Sequence, residues 1–172
     1  MNRRLLVLIT IAFFTAPLLQ VSADDGMPKV ELRASNLQPR PIEDLTSKSV
    51  PRDYAHAWQT MAQALDSNNV DLVNGYFTGF AKEDLTQRIE EQKKSNIHVR
   101  YDDRGHKLEA LFYSPAGDAM LLRDHAQLEM QVLDGDKVIS REQLNIQYIV
   151  MMTPGADRWL VRDLRATPEE HR

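Results

Sequence analysis

The chain holds few side chains whose type and spacing could do chemistry. His98 and His106 flank Asp102-Asp103-Arg104-Gly105. If that tetrapeptide is a turn between two strands, the histidines approach each other across a hairpin beside two aspartates. No other stretch resembles a metal constellation, and it lacks the His-x-x-x-His helical spacing that presents several ligands on one face. No metal site is therefore expected. No Gly-x-Ser-x-Gly elbow, phosphate-cradling glycine loop or dinucleotide fingerprint occurs, and Ser114-Pro115-Ala116-Gly117 is a turn, not a nucleophile setting. The chain has no cysteine, which excludes disulfides, thiolate metal sites and cysteine nucleophiles. No cofactor is implied and no catalytic residue is assigned.

The elements that would position any site begin after an address. Arg3-Arg4 precedes an apolar stretch from Leu5 to Phe14, and Val21-Ser22-Ala23 places small residues before Asp24. This is the pattern of a cleaved signal peptide over residues 1–23, with cleavage after Ala23 and a secreted or periplasmic product. The rival reading, a retained anchor, is weakened by Pro17 and Gln20, because a spanning helix needs about 20 apolar residues. Removing those 23 residues, with their two arginines, leaves 19 basic against 25 acidic side chains. A nucleic-acid binder is excluded on that balance, and no membrane contact is expected after cleavage.

Residues 24–50 read as a flexible linker, rich in charge and proline, although Val30 and Leu32 alternate briefly as a docked strand would. Order is expected from Pro51, at the first turn of a helix. Ala55, Trp58, Met61, Ala62 and Leu65 then recur at helical spacing. Asn69 is the expected cap of a short second helix, and a third runs from Phe80 to Lys94 with its lysines at the end, where they suit the helix dipole. The period then changes to two. Strands are predicted at 97–101, 108–113, 125–132, 143–152 and 158–165, with Asp134-Gly135 as a hairpin turn; residues 167–172 form a polar tail. Helices followed by an antiparallel meander give an α+β domain over residues 51–166. Its expected core sets Trp58, Met61 and Leu65 against Leu128, Met130, Ile146 and Tyr148.

Three stretches carry a resemblance to a known family. They are Ala57 to Asp66 with the following Asp71-Leu72 and Gly75-Tyr76-Phe77, the strands around Asp134-Gly135, and Asp157 to Leu164 with its tryptophan. Together they resemble the nuclear transport factor 2-like superfamily, including its SnoaL-like and cystatin-like members. That resemblance implies a cone of curved antiparallel sheet closed by N-terminal helices. The helix at Phe80–Lys94 makes the chain look closer to the non-catalytic members appended to chloroplast-division and mitochondrial-import proteins. Superfamily enzymes such as ketosteroid isomerases and scytalone dehydratase place a carboxylate, histidines and tyrosines inside the cone. On the inward register of the two best strands here, only Tyr148 is polar.

Two functional readings follow. The first is a non-catalytic binding or protein-interaction domain, engaging a second copy or another protein through the sheet face, with Ile149, Met151, Trp159 and Arg162 as contact candidates. Arg158, Arg162 and Arg165 around Trp159 would suit an acidic partner. The second is an isomerase- or dehydratase-like enzyme, or a carrier of an apolar small molecule, with Tyr54, Trp58, Tyr76, Tyr101 and Tyr148 lining the cone. A hydrated cavity with a desolvated acid or histidine favours the second reading. A filled interior beside an exposed apolar sheet face favours the first.

Overall fold

In a computed structural model, the structure describes residues 26–35 and 37–167. The expected signal segment and residues 168–172 lie outside them. Eight elements follow in order: β1 (Val30–Arg33), α1 (Asp44–Ser67), a 3-10 helix (Val70–Gly75), α2 (Gly79–Lys94), β2 (Ile97–Tyr113), β3 (Met120–Asp134), β4 (Lys137–Pro154) and β5 (Trp159–Thr167). The strands form one sheet in the order β1-β2-β3-β4-β5. β2 to β5 are antiparallel neighbours, while β1 lies parallel to β2 at the edge. The architecture is α+β, with the helices packed on one face of a mixed five-stranded sheet.

The core forms because period 3.6 in the helices meets period 2 in the strands. Val50, Tyr54, Ala57, Trp58, Met61, Ala64 and Leu65 are the buried stripe of α1. They meet Met120, Leu122, Ala126 and Leu128 of β3, Val150 and Met152 of β4, and Val161 of β5. Ala81, Leu85 and Ile89 bring in α2. Asn69 caps the 3-10 helix as expected, its side chain accepting from the Asp71 N–H. The β3–β4 hairpin closes on Gly135 at φ +55°, a conformation that glycine enters without a Cβ penalty. Ile146 departs from the expected core: it is half-buried and outside the cluster.

Two boundaries differ from the sequence reading. Residues 24–50 are not a linker throughout, because β1 is docked on β2, Leu37 is buried and Val50 is fully buried. α1 starts two turns before Pro51, which sits within the helix. The proline removes one N–H from the ladder, and burial of Val50 and Tyr54 on either side of it favours the helix through that point. At the helix start the Glu43 side chain accepts from Arg40 and from the Thr46 hydroxyl without capping a backbone N–H. The second correction concerns Asp102–Gly105, which is no turn. β2 runs unbroken through it, with a one-residue register shift between Asp103 and Gly105. That shift is a β-bulge, which leaves Arg104 as the extra residue.

Candidate functional site

Within the cone, α1 supplies Tyr54 and Trp58, one turn apart on its buried face. β2 supplies Asp103 and His106. Three residues apart on a regular strand they would point to opposite faces. The bulge restores the parity and turns both inward, His106 with 2% of its surface exposed. β3 supplies Asp124, the next inward position before Ala126 and Leu128, with no exposure at all.

These side chains form one hydrogen-bonded chain. The His106 Nε2 lies 2.7 Å from Asp103 Oδ2, and its Nδ1 lies 2.7 Å from Asp124 Oδ2. The Tyr54 hydroxyl donates to the same Asp124 oxygen at 2.8 Å. Burial works against a charge on His106, but the hydrogen bonds and charges of Asp103 and Asp124 outweigh it, and the histidine pKa is raised to about 9. At neutral pH the ring is thus an imidazolium donating from both nitrogens. Burial, and then the Asp124 charge, push the Tyr54 hydroxyl well above the usual tyrosine range, so it stays protonated. Two polar atoms are left over. Neither Asp124 Oδ1 nor the Trp58 indole N–H has a hydrogen-bond partner, although the indole acts on the Tyr54 hydroxyl and favours its ionised form.

Aromatic rings surround this chain. The Trp58 ring lies 4.4 Å from that of His106, 5.5 Å from Tyr148 and 6.5 Å from Tyr101. Burial, followed by the neighbouring Tyr101, raises the Tyr148 hydroxyl pKa. At the rim, Arg88 of α2 donates to the Tyr101 hydroxyl at 2.8 Å. Tyr54, Trp58, Tyr101 and Tyr148 are therefore brought together as the sequence suggested. Tyr76 is not among them: at the end of the 3-10 helix it stacks on His56 and lies under Arg158. The reason is its backbone, whose carbonyl accepts the Val161 N–H and fixes the residue beside β5.

A histidine between carboxylates has the parts of a general base. Here both ring nitrogens are engaged and the side chain has no exposure. It offers no lone pair to accept a proton and no face to a substrate. The arrangement ties α1, β2 and β3 together through a buried charge with two partners. The histidines do not meet, since His98 lies eight residues along β2 and contacts Asp66 and the Gly135 carbonyl. Among the described residues no group of three or more His, Asp or Glu side chains is placed to hold a metal ion.

The contact candidates at the end of the sheet separate in the same way. Trp159 is a correction: it is 7% exposed, its ring is 6.2 Å from Tyr113, and its backbone N–H donates to the buried Asp53 carboxylate at 2.8 Å. The turn before it hands the residue to the inner face, so no tryptophan sits in a surface patch. Arg158 and Arg165 are paired with Asp157 and Asp163, and Arg162 is exposed. Met151 is 36% exposed on the outer face, where Phe112, Leu121 and Met151 stand in register across β2, β3 and β4. Ile149, half-buried, lies two residues along from Met151.

Beside this apolar row the same outer face carries a groove of about 1130 Å³. Lys107, His125, Gln147 and Thr167 cross it in register, flanked by Arg123, Gln127 and Asn145. The sequence reading missed this groove, together with Asp53, Asp103, His106 and Asp124 as inward-facing groups. The polar outward register of β3 and β4 was visible, but nothing in it distinguished a groove from a flat solvated face.

No family model and no curated protein matches the chain. Its fold is nevertheless shared with solved structures. The intermembrane-space region of the chloroplast protein ARC6 superposes with a TM-score of 0.64 at 10% identity, over 73% of this chain and 98% of that one. ActVI-ORFA from Streptomyces coelicolor superposes at 0.50 with 14% identity, over 73% and 98%. At these identities the likeness is one of fold alone, the α+β arrangement of helices on one face of a sheet that the sequence resemblance implies.

Proposed function

We propose that this chain is an exported, non-catalytic interaction domain that engages a protein partner through the outer face of its sheet. The observation that supports it most is the division of labour between the two faces. The inner face is packed with apolar side chains around one self-contained hydrogen-bonded chain, and the open concavity lies outside, beside the row Phe112, Leu121 and Met151. Apolar groups grouped on an otherwise polar face mark contact surfaces. Export rests on the charged, apolar and small-residue order of residues 1–23, and among the described residues no helix is long and apolar enough to cross a membrane.

One observation favours the small-molecule alternative: Asp124 Oδ1 and the Trp58 N–H are buried without partners. A polar ligand could use both, but they lie among the side chains of the core, and both nitrogens of His106 are already engaged by carboxylates.

Native mass spectrometry of the protein taken from its own exported fraction separates the two. The expected species begins at Asp24 and carries no small molecule. A photo-crosslinking residue at Met151 is expected to give a discrete protein adduct, and one at Lys82 on α2 is not. A retained small-molecule mass with no adduct at Met151 would transfer the function to the interior of the cone.

A further inference from the structure

The outer groove has a chemistry of its own, and its occupant can be read from it, provided the outer face is the contact surface. Four basic side chains and His125 line it against a single acid, Glu31, in a chain whose net charge is -4. Three of the four basic side chains are already matched: Lys29 by Glu31, Arg104 by Glu129 and Arg123 by Glu109. Lys107 and His125 remain, both exposed and directly opposite each other on β2 and β3; Lys107 also faces Glu31 of β1, which it shares with Lys29, so the basic side chains still outnumber their acids. The amides of Gln127, Asn145 and Gln147 stand around them and can both donate and accept. From His125 to Leu121 is four residues along β3, about 13 Å at the strand rise.

We propose that the groove binds an extended acidic peptide segment of a partner protein. One carboxylate sits between Lys107 and His125. An apolar side chain four residues away reaches the row of Phe112, Leu121 and Met151, and the amides take up peptide groups between them. A nucleic acid or other polyanion fits less well, because it would need many unmatched cations and has no use for an apolar row. A second copy of this chain fits less well too. A two-fold contact sets this patch against its own copy, and its basic side chains, which outnumber its one acid, would then gather like charge across the contact.

The test is a fluorescence-anisotropy and amide-shift titration of the mature protein with three matched pools of extended peptides. Each pool has a large apolar residue four positions from Glu, Gln or Lys, with the other positions randomised. The expected result is tightest binding of the Glu pool. Amides at Lys107, His125 and Leu121 should shift, and affinity should fall roughly tenfold in Lys107→Glu and in His125→Glu and weaken with salt. Both residues are exposed, so the variants keep the fold, which the unchanged spectrum elsewhere verifies. Equal binding of the Glu and Gln pools at the outer face would overturn the acidic assignment and leave that face as the contact surface. Concentration-dependent shifts there without peptide would do the same in favour of a second copy. No response of the outer face to any pool, with shifts confined to the surroundings of Tyr101 and Tyr148, would overturn both.

Discussion

His106 holds a charge where burial alone would remove it, so its titration is coupled to folding. A folded-state pKa raised from 6.5 to about 9 stabilises the fold fully below pH 6.5 and is lost as pH rises through 9. The size is on the order of 3 kcal/mol, because each unit corresponds to about 1.4. Urea midpoints should therefore fall between pH 6.5 and 9, and the imidazole resonances of His106 should titrate near 9. His98 is also raised, mainly by the Gly135 carbonyl, so the experiment is best run in a His98→Gln background. A flat profile, or a His106 ring titrating below 7, would show that the carboxylates do not hold the proton. Asp124→Ala removes one partner of a buried charge and should destabilise by about 3–5 kcal/mol at pH 7. At this scale legibility was uneven. Tyr54, Trp58 and Tyr148 fell on plain helical and strand registers and met as those registers require. Asp103 and His106 share a face only because of the bulge at Arg104, and a period-two reading separates them. Asp124 was hidden because the alternation in β3 becomes visible only from His125 onward.

Elements were legible where they are long and strictly periodic, as in α1 past Pro51, α2 and the β3–β4 hairpin. They were not legible where tertiary contact overrides local composition. β1 has four residues, too few to show a period, and it exists because Val30 and Leu32 pack on the core and pair with His106 and Leu108 of β2. Its seat depends on Gly105. That residue has φ +132°, and a Cβ there would stand 3.3 Å from the Lys29 carbonyl. Gly105→Ala should strain the bulge and loosen β1, at a loss of roughly 1–3 kcal/mol, with faster hydrogen exchange at His106, whose N–H donates to that same carbonyl. The larger test is truncation. A chain beginning at Pro51 loses β1, Leu37, Val50 and the first turns of α1, and each buried Leu or Val contributes about 1.5–3 kcal/mol. We expect a chain beginning at Met27 to melt in one cooperative transition by circular dichroism, and one beginning at Pro51 to lose it. Equal melting of the two would return residues 24–50 to the status of a linker.

For the whole molecule, the sheet is a wall with two chemistries one residue apart. Along β4, Met151 points outward with 36% of its surface exposed, and Met152 points inward with none. A charge at these adjacent positions should have opposite consequences. Met152→Glu places an unpartnered carboxylate in the packed interior and should cost several kcal/mol, a large part of the 5–15 kcal/mol that holds a domain together. Met151→Glu stays in water and should change stability by no more than about 0.5 kcal/mol, while its negative charge opposes an acidic partner on the same face. Urea denaturation separates the first effect, and crosslinking from the outer face reads the second. If Met151→Glu leaves both stability and adduct formation unchanged, the apolar row is ordinary surface and the outer face has no claim to a partner. If it unfolds the protein, that face is packed more tightly than its exposure indicates. A folded Met151→Glu protein without its adduct is the one outcome that joins the sheet's alternation to its use.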